Sequence, residues 1–183
     1  KEFRRAEETI QIKGESAHIE SIDYTVHGPI ISSNEGLVAA QWTGLGETRD
    51  GLAIWMMNRA NNLSEALAGF DQIVIPTLSM AYADADGNIA IHACGAIPLR
   101  MRGQGRIPMD GASGEFDWRG FIPRRSLPLA VNPPRHYVGS ANGRPASIGY
   151  PHHLGWMWDS SYRTRRMHQL LTNCDDMTIE KMI

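Results

Sequence analysis

The sequence predicts an α+β chain with antiparallel sheets and long Pro/Gly-rich excursions. Period-two alternation of apolar and polar residues recurs in short segments divided by turn chemistry, the pattern of antiparallel strands. Two helical stripes with capping residues interrupt the strands. Residues 96–135 then carry Gly, Pro and Arg with little periodicity, which predicts an extended excursion.

Residues 2–32 read as two long β segments. Thr9 to Ile12 alternates, Lys13, Gly14 and Glu15 turn, and His18 to Val26 resumes before His27-Gly28-Pro29 breaks the run. Ile30 to Ser32 continues it, and Leu37 to Thr43 is a further strand. Asp50 is positioned to cap a helix that carries Leu52, Trp55 and Met56 on one face. Asn62 caps a second helix with Glu65 at the capping-box position. Its Leu63, Ala66, Leu67 and Phe70 follow i, i+3, i+4, i+7, an apolar stripe read as core packing.

Thr77 to Ala83 and Ile89 to Gly95 flank Asp84, Ala85, Asp86, Gly87 and Asn88, strong hairpin chemistry because Gly and Asn accept positive φ. The alternating oxygens of Asp84, Asp86 and Asn88 resemble a calcium loop, but the distal Glu and the loop length of an EF-hand are missing, so a plain turn is the better reading. Six prolines hold the excursion extended, with Phe116, Trp118 and Phe121 as expected anchors. A second loop, 146–158, leads to a helix over Ser160 to Thr172. The chain starts at Lys1 without Met and ends in a single capped turn from Thr178 to Ile183. The expectation is one partial domain over 1–183, cut from a longer protein at both ends.

Composition narrows the function. A net charge of −2 argues against a nucleic-acid partner, and Arg163, Arg165, Arg166, Arg124 and Arg125 read as solvated faces or structural ion pairs. No apolar run reaches the ~20 residues of a membrane span. Cys94 and Cys174 match no metal or redox spacing; two free thiols are favoured over a disulfide. His92 and Cys94 share one face of a strand, but parallel side chains with no third orienting group read as a core Cys beside a satisfied His rather than a nucleophilic pair. His152 and His153 lack a third ligand at a known spacing, so no metal site is expected. His27 reads as a turn histidine bonded to backbone.

Tyr137 to Pro145, YVGSANGRP, presents the amide of Asn142 among small neighbours. A neutral amide on such a turn donates to a developing oxyanion without acting as base or nucleophile. Local chemistry alone favours the simpler reading, a turn-former in the αL region.

The motifs TVHGPII (25–31), AAQWT (39–43), NRANNLSEALAGF (58–70), YADADGNIAIHACGAIPLR (82–100), DWRGFIP (117–123), NPPRHYVGSANGRP (132–145) and WDSSYRTRRMHQLL (158–171) occur in one order across nearly the whole chain. In that order they resemble the penicillin acylase (penicillin amidase) family of N-terminal nucleophile hydrolases. The resemblance implies part of an αββα sandwich with antiparallel sheets. It also implies an internal piece of the large chain, downstream of the Ser whose own α-amino group, of pKa ~8, serves as base. Asn142 aligns with the side-chain donor of the oxyanion hole, Arg163 with the arginine that orients it, and Leu78 with the acyl pocket. The family's structural calcium is met partly by the loop at residues 103–105 and by an acidic residue where this chain has His152, so no cofactor is expected here.

The implied activity is hydrolysis of the side-chain amide of penicillin-like N-acyl compounds through an acyl-enzyme. An acyl-homoserine lactone or cephalosporin-type amide is the alternative substrate, and a non-catalytic β-rich binding module is the alternative class. The expected partners are a small N-acyl amide and the remaining segments of the same precursor, with no nucleic acid and no membrane span. The expected location is periplasmic or secreted, and this chain by itself is expected to be inactive.

Overall fold

A computed structural model describes residues 3–34, 36–174 and 177–182. Lys1 and Ile183, which figure in the reading of the termini, lie outside the described residues. The chain forms two compact units, one of residues 1–47 and 100–118, the other of 48–99 and 119–183. Among the described residues no helix is long and apolar enough to cross a membrane.

The first unit is a four-stranded antiparallel sheet in sequential order: β1 (Arg4–Ile10), β2 (His18–Thr25), β3 (Gly28–Ser33) and β4 (Gly36–Ala39). β1 and β2 pair from Arg4↔Tyr24 to Ile10↔His18, around the predicted turn. Gly28 makes the turn into β3 possible. It has φ +135°, and a Cβ there would lie 2.1 Å from the carbonyl oxygen of Ala40. The imidazole of His27 donates from Nε2 to Gly111 O at 3.0 Å, the backbone bond expected of a turn histidine. The strand predicted to Thr43 stops at Ala39. The last ladder bond runs from Ala40 N to Pro29 O, and β3 offers no further backbone to pair with, so Thr43–Leu45 turn into a short 3-10 helix.

The second unit opens with two helices, α1 (Asp50–Arg59) and α2 (Leu63–Phe70). Asp50 does not cap α1. It is the first helical residue, and its Oδ1 instead accepts from Val74 N at 2.6 Å and Ile75 N at 3.1 Å, tying the helix start to the segment that leaves α2. The predicted apolar face of α1 is also corrected. Trp55 is 58% exposed and Leu52 is exposed too, whereas Ala53 is fully buried. Small residues set this contact: a Cβ on Gly69 of α2 would lie 2.8 Å from Met57 Cγ, so the helices meet where side chains are short.

The Asn62 cap on α2 forms as predicted, while the return bond of Glu65 goes to the backbone N–H of Asn61, one residue before the cap. Asn62 Oδ1 accepts from Glu65 N at 3.0 Å, and Glu65 Oε2 accepts from Asn61 N at 2.9 Å. Ala66 and Phe70 enter a core with Ala53, Ile73 and Cys94, flanked by Met57, Leu67, Met80 and Tyr82.

Beneath the helices lies a three-stranded antiparallel sheet of β5 (Leu78–Ala83), β6 (Ile89–Cys94) and a later strand, with β6 central. The hairpin turn uses Asp84 fully: its Oδ1 accepts from Asn88 N at 2.8 Å and its Oδ2 from Asn88 Nδ2 and Tyr82 OH. The excursion is more structured than predicted. β7 (Pro98–Arg100) and β8 (Trp118–Phe121) pair, and β9 (Leu129–Val131) joins the sheet edge beside β6. Phe121 is 48% exposed, and the buried apolar contacts here are made by Ile122 and Leu127, which pack with Ile97, Leu99 and Leu154. Asn132 locks β9 in register by exchanging bonds with Ile89 N and Ile89 O, each 2.9 Å. The chain continues through 137–145 to α3 (Ser161–Thr172), then a single turn, α4 (Ile179–Met182), behind Thr178 as predicted.

Candidate active site around Asn142

The loop after β9 lies along one face of α3. Tyr137 OH is 2.9 Å from His168 Nδ1 and 3.1 Å from Thr172 Oγ1. A Cβ on Gly139 would lie 2.9 Å from Met167 Sδ, and one on Gly143 would lie 2.9 Å from Thr164 Oγ1. Thr164, Met167, His168 and Thr172 are spaced i, i+3, i+4, i+8, so a single helical face supports the loop. At Gly143 a side chain would displace the short, β-branched Thr164, whereas at Gly139 it would have to push aside the flexible end of Met167.

Asn142 sits at the crest of the loop in the left-handed region, φ 61°, a conformation Asn tolerates better than other residues with a side chain. Its backbone is tied down on both sides. Asn142 N donates to Ser140 Oγ at 3.3 Å, and Asn142 O accepts from Asp159 N at 2.9 Å. Its side-chain oxygen accepts from Arg163 Nη1 at 3.0 Å. Guanidinium only donates, so this bond identifies the bonded atom as Oδ1 and turns the NH2 outward. Among the described residues no protein acceptor takes the Nδ2 hydrogens. The group is therefore an exposed neutral donor, strengthened by a cation on its oxygen.

Arg163 Nη1 also donates to Asp159 Oδ2, four residues earlier. The hydrogen bond from Arg163, followed by that from Ser160 N at 2.8 Å, holds the Asp159 carboxyl below its usual range. Asp159 escaped the sequence reading, although its i, i+4 spacing to Arg163 was a usable signal. Thr164, His168 and Tyr137 escaped it too, because their contacts depend on where α3 docks.

The structure brings Asn142 and Arg163 together. Leu78 pairs with Cys94 at the start of β5 and is 41% exposed. Ser79, Ile91 and Ala93 project to the opposite face, where they line a cavity of about 300 Å³ with Gly143, Thr164 and His168.

The other candidates are not catalytic groups. Cys94 is 1% exposed, its thiol donates to His92 O at 3.4 Å, and burial pushes its pKa up to about 12. Burial also lowers the pKa of His92. His92 is not the satisfied core histidine expected, since its buried Nδ1 has no hydrogen-bond partner. Both cysteines are free thiols. His152 meets the ring of Tyr150 edge-on and brings no carboxylate oxygen, so it does not fit the calcium role of the acidic residue it replaces. Among the described residues no group of three or more His, Cys, Asp or Glu is arranged to hold a metal.

The mixed α/β scaffold with antiparallel sheets matches the N-terminal nucleophile hydrolase fold of a solved penicillin acylase. A thermostable penicillin G acylase from Alcaligenes faecalis matches 98% of this chain, and 33% of its own, with a TM-score of 0.79 and 25% identity. The family model described as penicillin amidase matches residues 1–183, and the chain belongs to that family. The acyl-homoserine lactone acylase QuiP of Pseudomonas fluorescens is 31% identical over 173 residues, 91% of this chain and 21% of that protein. The penicillin G acylase of Escherichia coli is 29% identical over 183 residues, 96% of this chain and 21% of that protein. The chain thus spans about a fifth of the length of these relatives.

Proposed function

We propose that this chain forms one wall of the active site of an N-acyl amidohydrolase. The observation that carries this is the bond from Arg163 to Asn142 Oδ1, which leaves Nδ2 as a fixed outward donor. In this reading an amino-terminal Ser outside these residues attacks the amide carbonyl, and its α-amino group takes the hydroxyl proton. Asn142 Nδ2 stabilises the oxyanion, Arg163 keeps Oδ1 turned away from it, and the C–N bond breaks as the amine leaves with the proton. Water then hydrolyses the acyl-enzyme.

Support comes from family membership and from relatives that bear the names penicillin G acylase and acyl-homoserine lactone acylase. Both names describe N-acyl amides, the substrate class proposed here. Leu78 is assigned to the acyl-binding wall on the strength of its exposed apolar surface. The exposed Trp55, Leu129 and Val131 are surfaces for the remaining segments of the precursor. No calcium ligand is assigned to His152, and a periplasmic or secreted location belongs to the same reading.

The test is Asn142→Ala in the full-length protein, assayed on a chromogenic phenylacetyl amide and on a long-chain acyl-homoserine lactone. Loss of one oxyanion donor lowers kcat by ~10²–10³ with little change in KM. An unchanged kcat on both substrates sinks the reading, and the better substrate names the acyl group. The purified 183-residue chain should turn over neither.

A further inference from the structure

Asp159 touches both halves of the donor assembly. Its backbone N–H holds the carbonyl of Asn142 at 2.9 Å, which pins the residue whose φ is 61°. Its carboxylate, through Oδ2, holds the same Arg163 nitrogen that bonds Asn142 Oδ1. Its second oxygen accepts from Ser160 N at 2.8 Å, which fixes the carboxylate at the entrance to α3. Arg163 is a long side chain, 53% exposed, and would otherwise sample several rotamers in water. We infer that Asp159 is the positioning residue of the site: a single side chain and its own backbone fix the crest of the loop and the guanidinium that turns the Asn142 amide outward.

The inference rests on the oxyanion role proposed for Asn142. It adds a division of labour. Asn142 supplies the hydrogen, Arg163 chooses which end of the amide faces the substrate, and Asp159 keeps Arg163 on Asn142 rather than on solvent or on an anionic part of the substrate. The pair also cancels the arginine charge beside the donor. An acyl amide with a neutral leaving group therefore meets no net charge there, and one with a carboxylate gains no free cation.

The test uses the full-length protein and the variants Asp159→Ala, Asn142→Ala and the double variant. Asp159→Ala should lower kcat by roughly 10–10²-fold, the effect of a misplaced group, with KM for a neutral substrate within about twofold. Added to Asn142→Ala it should cause no further loss, because two residues acting through one donor are not additive. In the Asp159 variant, KM for a carboxylate-bearing substrate should fall relative to a neutral one, since Arg163 is released. Wild-type kcat in Asp159→Ala, or losses that multiply in the double variant, overturn the inference while the Asn142 role stands. An unchanged kcat in Asn142→Ala overturns both. If Asp159→Ala does not mature, Asp159→Asn takes its place. It keeps an acceptor and the backbone bond but loses the charge, and the same shift in relative KM is expected; equal KM ratios in Asp159→Asn and wild type overturn the inference.

Discussion

Arg163 donates to the side-chain oxygen of Asn142 at 3.0 Å across a separation of 21 residues. The partner atom matters more than the distance. With Oδ1 occupied by a cation, the amide presents only its N–H groups, so the site has a defined polarity before any substrate arrives. Arg163→Lys in the full-length protein replaces a planar fork with a point charge on a different stem. The expected result is a roughly 10–10²-fold fall in kcat, the scale of a misaimed donor. Steady-state kinetics on a neutral acyl amide checks it, and a wild-type kcat would remove Arg163 from the site.

Gly143 predicts a steric rescue. A Cβ there would sit 2.9 Å from Thr164 Oγ1, closer than packed atoms tolerate. Gly143→Ala should therefore lift the loop from α3, costing about 1–3 kcal/mol as an overpacked contact and reducing kcat. Thr164→Ala removes the obstructing oxygen. The double variant should regain most of the lost stability and rate, read by calorimetry and kinetics side by side. A double variant no better than Gly143→Ala alone would mean that Thr164 is not the obstacle.

Asp50 gives a pH dependence. Partial burial pushes its pKa up, but the bonds from the Thr48 hydroxyl and from Val74 N and Ile75 N outweigh this, and the net shift is downward. A carboxylate with a lowered folded pKa stabilises the fold above its unfolded value, about 4, and loses that contribution as pH falls through the folded value. Asp50→Ala should cost about 1–3 kcal/mol at pH 7, because two backbone N–H groups lose their acceptor. The gap between variant and wild type should close below about pH 4. Urea titrations at neutral and acidic pH measure this, and a gap constant with pH would exclude the carboxylate charge as its source.

The two thiols should differ in reactivity. Cys94 is buried and its pKa is pushed up to about 12, whereas Cys174 is only half-buried. At mildly alkaline pH the thiolate is the reacting form, so the folded chain should take up one equivalent of a thiol reagent quickly and a second only on unfolding. Mass spectrometry of the labelled chain, with Cys174→Ser as control, distinguishes the two sites.

Legibility followed the range of the interaction. The Asn62 cap, the Asp84–Asn88 turn and the hairpin strands on either side of it depend on partners close in sequence, and each formed where predicted. The face of α1 did not, because Leu52 and Trp55 satisfy a helical stripe while the core side is chosen by the close approach of α2 at Gly69. Asp50 looked like a cap by position, yet its partners lie 24 and 25 residues ahead. Phe121 gave way to Ile122 because pairing in β8 decides which residue points inward.

The site divides in the same way. By itself the sequence determined the family, through the order of its motifs, and the presented Asn142, through small neighbours and an αL-tolerant side chain; from these came the alignment of Arg163. Only the tertiary structure decided that Arg163 reaches Oδ1 and that Asp159 holds both residues. The reason is physical: an amide has two ends that a sequence cannot distinguish, and the docking of α3 against Gly139 and Gly143 brings a donor to one of them.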